Sequence, residues 1–210
     1  MLKERPFKSV KLTEELDHIL KDCVNGKRSA QEQLYKMYSA KMFGVCLRYC
    51  KNYEEAKDIL QEGFIKVFEK IYQYGQRGCF EGWVRRIMVN TALERYRKNG
   101  QIVVMEQLPE IYEEQDSDGG FDITMKELLW IIQKLPERYR MVFNLYVFEE
   151  MSHKEIAETL GITEGTSKSD LSRARGILQS KINIKAKQIV KTGLKWNGKY
   201  IISMSISRKG

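Results

Sequence analysis

Residues 151 to 178 read MSHKEIAETLGITEGTSKSDLSRARGIL, and this stretch constrains the fold of the chain more tightly than any other. Ser152, followed three residues later by Glu155, is a capping box: each side chain accepts a hydrogen bond from a backbone N–H that a helix start leaves unpaired. Ile156, Ala157 and Leu160 form the apolar stripe of a short helix, and Gly161 can take the left-handed conformation that ends it. Ile162 tucks into the corner. Thr163 caps a second helix, whose first-turn Glu164 suits the positive end of the macrodipole. Leu171, Ala174 and Leu178 give that helix a thin apolar stripe, while Thr166, Ser167, Lys168, Ser169, Arg173 and Arg175 crowd the other side. Two helices meeting at a glycine predict a helix-turn-helix, and a face of short hydroxyls and cations suits the DNA major groove. A basic helix face is also often no more than a solvated one, so the rest of the chain has to decide between the two readings.

The net charge of +8 makes an anionic partner plausible, although a membrane surface would fit charge alone. No run of about eighteen apolar residues is present to span a bilayer. The start MLKERPFKSVKLTEELDHIL lacks the apolar core of a signal peptide, so a cytoplasmic protein is expected. Cys23, Cys46, Cys50 and Cys79 are too few and too scattered for a disulfide framework. Cys46 and Cys50 sit one helical turn apart, but the only histidines are His18 and His153 and no Cys-x-x-Cys occurs. The expectation is reduced core thiols, with no metal and no cofactor. Without a phosphate loop or a nucleophile elbow, no enzymatic activity is expected.

Periodicity predicts an all-α chain of two small helical domains joined by a flexible acidic linker, the second domain containing the helix-turn-helix. Residues 1–12 read as a mobile basic lead-in. The first domain spans 13–98. Its opening helix carries Leu16, Ile19, Leu20 and Cys23 and stops near Asn25 and Gly26; Ser29 is expected to cap a long second helix. Asn52 caps a third, with Ala56, Ile59, Leu60, Phe64, Val67, Phe68 and Ile71 inward and an acidic face of Glu54, Glu55, Asp58, Gln61 and Glu62. Such a patch on a basic protein suggests a cationic protein partner, or a solvated face like any other. A fourth helix starts near Phe80 and interleaves Trp83 and Tyr96 with Arg85, Arg86, Asn90, Arg95, Arg97 and Lys98, the ingredients of a single-strand surface. A tryptophan at helical spacing fits a core position equally well.

Residues 99–124 carry seven acidic residues and no Lys or Arg, and Pro109 with Gly119 and Gly120 would break a helix, so this is the linker. The second domain spans 125–184. One helix contains Leu128, Leu129, Ile131, Ile132 and Leu135, and Pro136 starts another with Met141, Val142, Leu145, Tyr146 and Phe148. Residues 185–210 form a basic tail in which KYIISMSIS could be a strand.

The order of these elements, and in particular KDILQEGFIKVF, WVRRIMVNTALERYR and LPERYRMVFNLYVFEEMSHKEIAETLGITEGTSKSDLSRAR, resembles the extracytoplasmic-function sigma factors, the two-domain class of bacterial transcription initiation factors. The resemblance covers about residues 25–182. It implies that Asp58, Gln61 and Glu62, with Phe64, dock on the clamp helices of the RNA polymerase β′ subunit. It further implies that Trp83, Arg86, Asn90, Arg95, Arg97 and Lys98 engage the −10 promoter region as it opens. The loop Tyr72 to Cys79 would lie near the pocket for a flipped base, because melting exposes bases that a duplex hides. Thr166, Ser167, Lys168, Ser169, Arg173 and Arg175 would face the −35 element. Two departures from the family pattern stand out: Ser167, where a small apolar residue such as Val is common, and Asp170, where a cation is common. A carboxylate at 170 facing DNA would repel phosphate but could accept from a cytosine amino group. The implied partners are bacterial core RNA polymerase, promoter DNA and a membrane-bound anti-sigma factor, with the protein a monomer when free. The alternative is a helix-turn-helix regulator that binds duplex DNA without being a polymerase subunit. A metal-dependent nuclease would need clustered carboxylates with histidine support, which the Asp58 and Glu62 pair lacks.

Overall fold

A computed structural model describes residues 9–75, 78–99 and 125–191, with side chains placed for 15–75, 78–98 and 127–182. These residues are helical, with no strand among them, and divide into two units, one on each side of residues 101 and 102. The alternating KYIISMSIS patch and the acidic segment after Asn99 lie outside the described residues.

In the N-terminal unit, helix α1 (Ser9–Val24) begins inside the stretch expected to be an irregular lead-in. It ends as expected, with Gly26 at φ +75° and the Lys27 N–H donating to the Asp22 carbonyl at 3.0 Å. Helix α2 (Arg28–Tyr49) starts two residues earlier than Ser29 as its cap would set it. Lys27 is the residue at the cap, with no side-chain capping bond, and Ser29 lies within the first turn. Asn52 does cap α3 (Tyr53–Lys70), its side chain accepting from the Glu55 N–H at 2.9 Å. A 3₁₀ turn follows at Ile71–Gln73, and α4 runs over Phe80–Asn99. Leu34, Met42, Cys46, Tyr49, Ala56, Ile59, Val67, Val84, Met88 and Ala92 close the core between α2, α3 and α4.

At Gly63 helix α3 lies close against α4: a Cβ there would fall 2.3 Å from the Sδ of Met88, a residue 1% exposed. Alanine there would gain roughly 1 kcal/mol of helix propensity. It would force an enclosed methionine off its rotamer at a cost of about 1–3 kcal/mol. Gly63→Ala is therefore expected to lower the melting temperature, and Met88→Ala, by emptying the contested space, to remove that penalty in the double variant. A Gly63→Ala protein as stable as the parent would mean that Met88 moves aside freely.

Three of the four cysteines match the core expectation. Cys23, Cys46 and Cys50 are buried, and burial pushes the Cys46 thiol up to about 12, out of the reactive thiolate range. Cys79 departs from it and is exposed at the start of α4.

The C-terminal unit contains α5 (Met125–Gln133), α6 (Glu137–Val147), α7 (His153–Leu160) and α8 (Glu164–Lys191). Its core is Ile131, Ile132, Leu135, Met141, Val142, Leu145, Ile156, Leu171, Ala174 and Leu178, with Arg140 buried among them. The guanidinium of Arg140 donates to the carbonyls of Gln133 and Leu135 at 2.9 and 3.0 Å. Those carbonyls lie where α5 runs out of intrahelical partners, so a buried cation finishes the helix and fixes α6 to it. The capping box forms as expected: the Ser152 N–H donates to Glu155 Oε2 at 2.8 Å and the Glu155 N–H to Ser152 Oγ at 3.3 Å. The Ser152 hydroxyl, which donates to Glu155 Oε2 at 2.7 Å, and then the Ser152 N–H hold the Glu155 carboxyl below its ordinary range. Gly161 takes φ +68°, and Ile162 donates to the Ala157 carbonyl at 3.1 Å, closing the corner. Thr163 caps α8 through Oγ1, which accepts from the Thr166 N–H at 3.1 Å. Helix α8 continues to Lys191, so the boundary expected at 184 falls inside a helix.

Candidate polymerase and promoter interfaces

Helix α8 shows which of its residues can meet a partner. Lys168, Ser169 and Arg173 are exposed, as are Gly165, Ser172 and Gly176. At 3.6 residues per turn, Gly165, Ser169, Ser172 and Gly176 form one line along the outside, with Lys168 and Arg175 on one flank and Thr166 and Arg173 on the other. A ridge of small side chains between cations lets a helix backbone approach a groove while its edges meet phosphates. Ser172 and the two glycines were not singled out in the sequence, because their contribution is their smallness rather than a functional group.

One of the residues expected to face the −35 element sits elsewhere, and a second is only partly open. Ser167 is fully buried and its Oγ lies 2.9 Å from His153 Nδ1, so it joins α8 to α7 and cannot reach DNA. Arg175 is half-buried, its guanidinium 5.5 Å above the Tyr146 ring. Asp170 is also fully buried, which removes the expectation that its carboxylate faces phosphate or cytosine. Instead Arg138, in the first turn of α6, donates to it through Nε at 2.6 Å and through a terminal nitrogen at 3.2 Å.

His153 is a participant that sequence reasoning passed over. Its ring stacks on Tyr146 with centroids 4.9 Å apart and spans to Ser167, so one imidazole ties α6, α7 and α8 together. Burial, followed by the positive charges of Lys168 and Arg175, lowers its pKa from the ordinary histidine value of 6.5, with Glu164 opposing. A base whose folded pKa lies below its unfolded one stabilises the fold above the unfolded pKa, and the benefit is lost as pH falls through the folded value. The C-terminal unit is thus expected to melt lower at pH 5.5 than at pH 7.5, with His153→Gln removing most of that difference. An equal pH dependence in the variant would assign the effect to other groups.

On α3, Asp58 and Gln61 are exposed and Glu62 half-buried, on one face as expected. Phe64 is not part of that surface: it is 3% exposed and packs on Tyr35 at 4.7 Å and Phe68 at 6.0 Å. The acidic face is not purely anionic either. Asp58 accepts from Arg95 of α4 at 3.1 Å, and Glu62 pairs with Lys66 at 2.8 Å, which also reaches Glu94 at 2.7 Å.

The same bond corrects α4. Trp83, Arg86, Asn90 and Arg97 fall within an arc of roughly 60° on one side, with Lys98 at its margin and Arg95 on the opposite side, beside α3. Arg86, Asn90, Arg97 and Lys98 are exposed. Trp83 is half-buried in a cluster with Tyr74 at 5.7 Å and Phe80 at 5.6 Å, which Tyr38 extends through Phe80 at 5.6 Å. The indole is packed on neighbouring rings and still partly open to solvent, so the two readings of Trp83 are not exclusive. Tyr72, 69% exposed, stands next to this cluster in the chain.

Among the described residues no group of three or more His, Cys, Asp or Glu is placed to hold a metal ion, and no helix is long and apolar enough to cross a membrane.

Comparison with known proteins assigns both units. Residues 34–102 match the family model of sigma-70 region 2, and residues 125–178 that of sigma-70 region 4. The chain is 33% identical over 156 residues to the ECF RNA polymerase sigma factor SigE of Mycolicibacterium smegmatis, covering 69% of this chain and 58% of that protein. It is 30% identical over 177 residues to SigW of Bacillus subtilis, covering 78% of this chain and 94% of SigW. Among solved structures, the sigma factor RpoE of Bartonella quintana, in a co-crystal with the anti-sigma factor NepR, aligns with a TM-score of 0.45 and 20% identity over 73% of this chain and 96% of that one. With an N-terminal region 2, a C-terminal region 4 and nearly the full length of SigW matched, the chain belongs to the extracytoplasmic-function sigma factors of the sigma-70 family.

Proposed function

We propose that this sigma factor binds bacterial core RNA polymerase through the carboxylates of α3, reads the −35 element with α8 and engages the opened −10 region with α4. The observation that carries the reading is the exposed line Gly165, Ser169, Ser172 and Gly176 flanked by cations on α8, in a chain whose other unit exposes Asp58 on α3 and Arg86, Asn90, Arg97 and Lys98 on α4. A helix with that relief fits a groove, and the −10 surface combines aromatic and cationic groups suited to unstacked bases. Stacking contributes about 1–3 kcal/mol per captured base, enough to offset the few kcal/mol of unpairing without nucleotide hydrolysis. The protein then acts by binding alone, as a cytoplasmic monomer when free, and its availability can be controlled by an anti-sigma factor that covers the same surfaces.

Run-off transcription with purified core polymerase tests this directly, with transcript starts sequenced. Initiation is expected from a defined set of sites sharing −35 and −10 elements. Starts scattered at the background of core enzyme alone would end the proposal. A regulator that only binds duplex DNA would in addition form no stoichiometric complex with core polymerase.

A further inference from the structure

We infer that the first turn of α6 is a positioning element for −35 reading: Arg138 sets the roll of α8 through Asp170, and Tyr139 aims Arg173. The inference rests on the reading of α8 as the promoter-facing helix. Arg138 and Tyr139 are consecutive, and both reach α8, across 32 and 34 residues of chain. Arg138 engages Asp170 with two nitrogens at 2.6 and 3.2 Å, and a two-point contact fixes rotation as well as distance. Asp170 follows Ser169 directly and stands one helical turn from Arg173. Successive residues are about 100° apart, so any roll that released Asp170 would carry Ser169, Ser172 and Arg173 off the exposed face. A buried ion pair adds little stability over an apolar pair of similar volume; its better-attested use is to specify one arrangement among several.

Tyr139 acts on the reader itself. A terminal nitrogen of Arg173 donates to the Tyr139 hydroxyl at 3.2 Å while the side chain stays exposed. A guanidinium has five N–H donors, so holding one leaves the others for a guanine edge. The contact restricts Arg173 before DNA arrives, and ordering a long side chain in advance lowers the entropy that binding must otherwise overcome. Neither Arg138 nor Tyr139 has to touch DNA.

The test is selection from a duplex library randomised across the −35 element, using full-length protein bound to core polymerase, with melting temperatures measured in parallel. Y139F removes one hydroxyl and is expected to keep the parental melting temperature while lowering preference at a single base-pair position by about three- to tenfold, the worth of one hydrogen bond. In an R173A background Y139F should change nothing further. R138M/D170L, which replaces the ion pair by an apolar one, is expected to retain overall DNA affinity but to flatten preference across the element. A Y139F protein with the parental profile, or with the same loss when Arg173 is absent, overturns the inference even if R138M/D170L fails to fold. If the unaltered protein itself selects no sequence, the reading of α8 fails and takes this inference with it.

Discussion

Arg138→Met is expected to destabilise the C-terminal unit by about 3 kcal/mol, more than the reciprocal change Asp170→Asn. The asymmetry follows from burial: the Asp170 side chain is 0% exposed, whereas that of Arg138 is 36% exposed. Without Arg138 the carboxylate is left in the interior with its charge uncompensated. Removing the Asp170 charge instead leaves a guanidinium that can still turn toward water, and Asn keeps one acceptor in place, so roughly 1–2 kcal/mol is expected. Urea unfolding of the full chain, with hydrogen exchange of α6 and α8 to identify the unit that opens, measures both. Equal losses would mean that the pair is far wetter than its geometry implies.

Reversing charge at two positions of α3, Asp58→Lys with Glu62→Lys, is expected to abolish stoichiometric binding to core polymerase while leaving the N-terminal unit folded. Within the protein the affected contacts are exposed or half-exposed pairs, Asp58 with Arg95 and Glu62 with Lys66, each worth about 0–1 kcal/mol, so the fold tolerates their loss. At a complementary interface, opposed like charges cost several kcal/mol, enough for a loss of affinity on the order of a hundredfold or more. Co-elution with core enzyme and circular dichroism of the same preparation separate the two effects. Because Asp58 and Arg95 are bonded to each other, Arg95→Ala should also be assayed for core binding. If it weakens core binding as much as Asp58→Lys alone does, the face works as a mixed ion-pair surface rather than as an anionic one.

The surfaces proposed for polymerase and for promoter are joined inside the N-terminal unit. In the sequence Arg95 is indistinguishable from the DNA-facing cations, because charge on α4 looks alike at every residue. Its position half a turn from Arg86, Asn90 and Arg97 turns it toward Asp58. Phe64 lies beneath the surface to which the resemblance assigns it, since a helix can bury an aromatic residue two positions from a half-exposed acid such as Glu62.

The sequence by itself determined what is local. Capping boxes, N-caps and the glycine corner act over three or four residues, and their hydrogen bonds are the same in any fold that contains them, so Asn52, Ser152, Gly161 and Thr163 behave as their spacing says. Periodic apolar residues likewise define α3 through α7 almost to their ends, because each stripe needs only some partner to bury against. What the tertiary structure decided is which partner. Asp170 and Ser167 look like surface residues on a polar helix until Arg138 and His153, far away in the chain, supply the bonds that let them be buried. Burying a charge or a hydroxyl is unfavourable unless its partner is already in place, and no pattern within one helix can announce a partner carried on another.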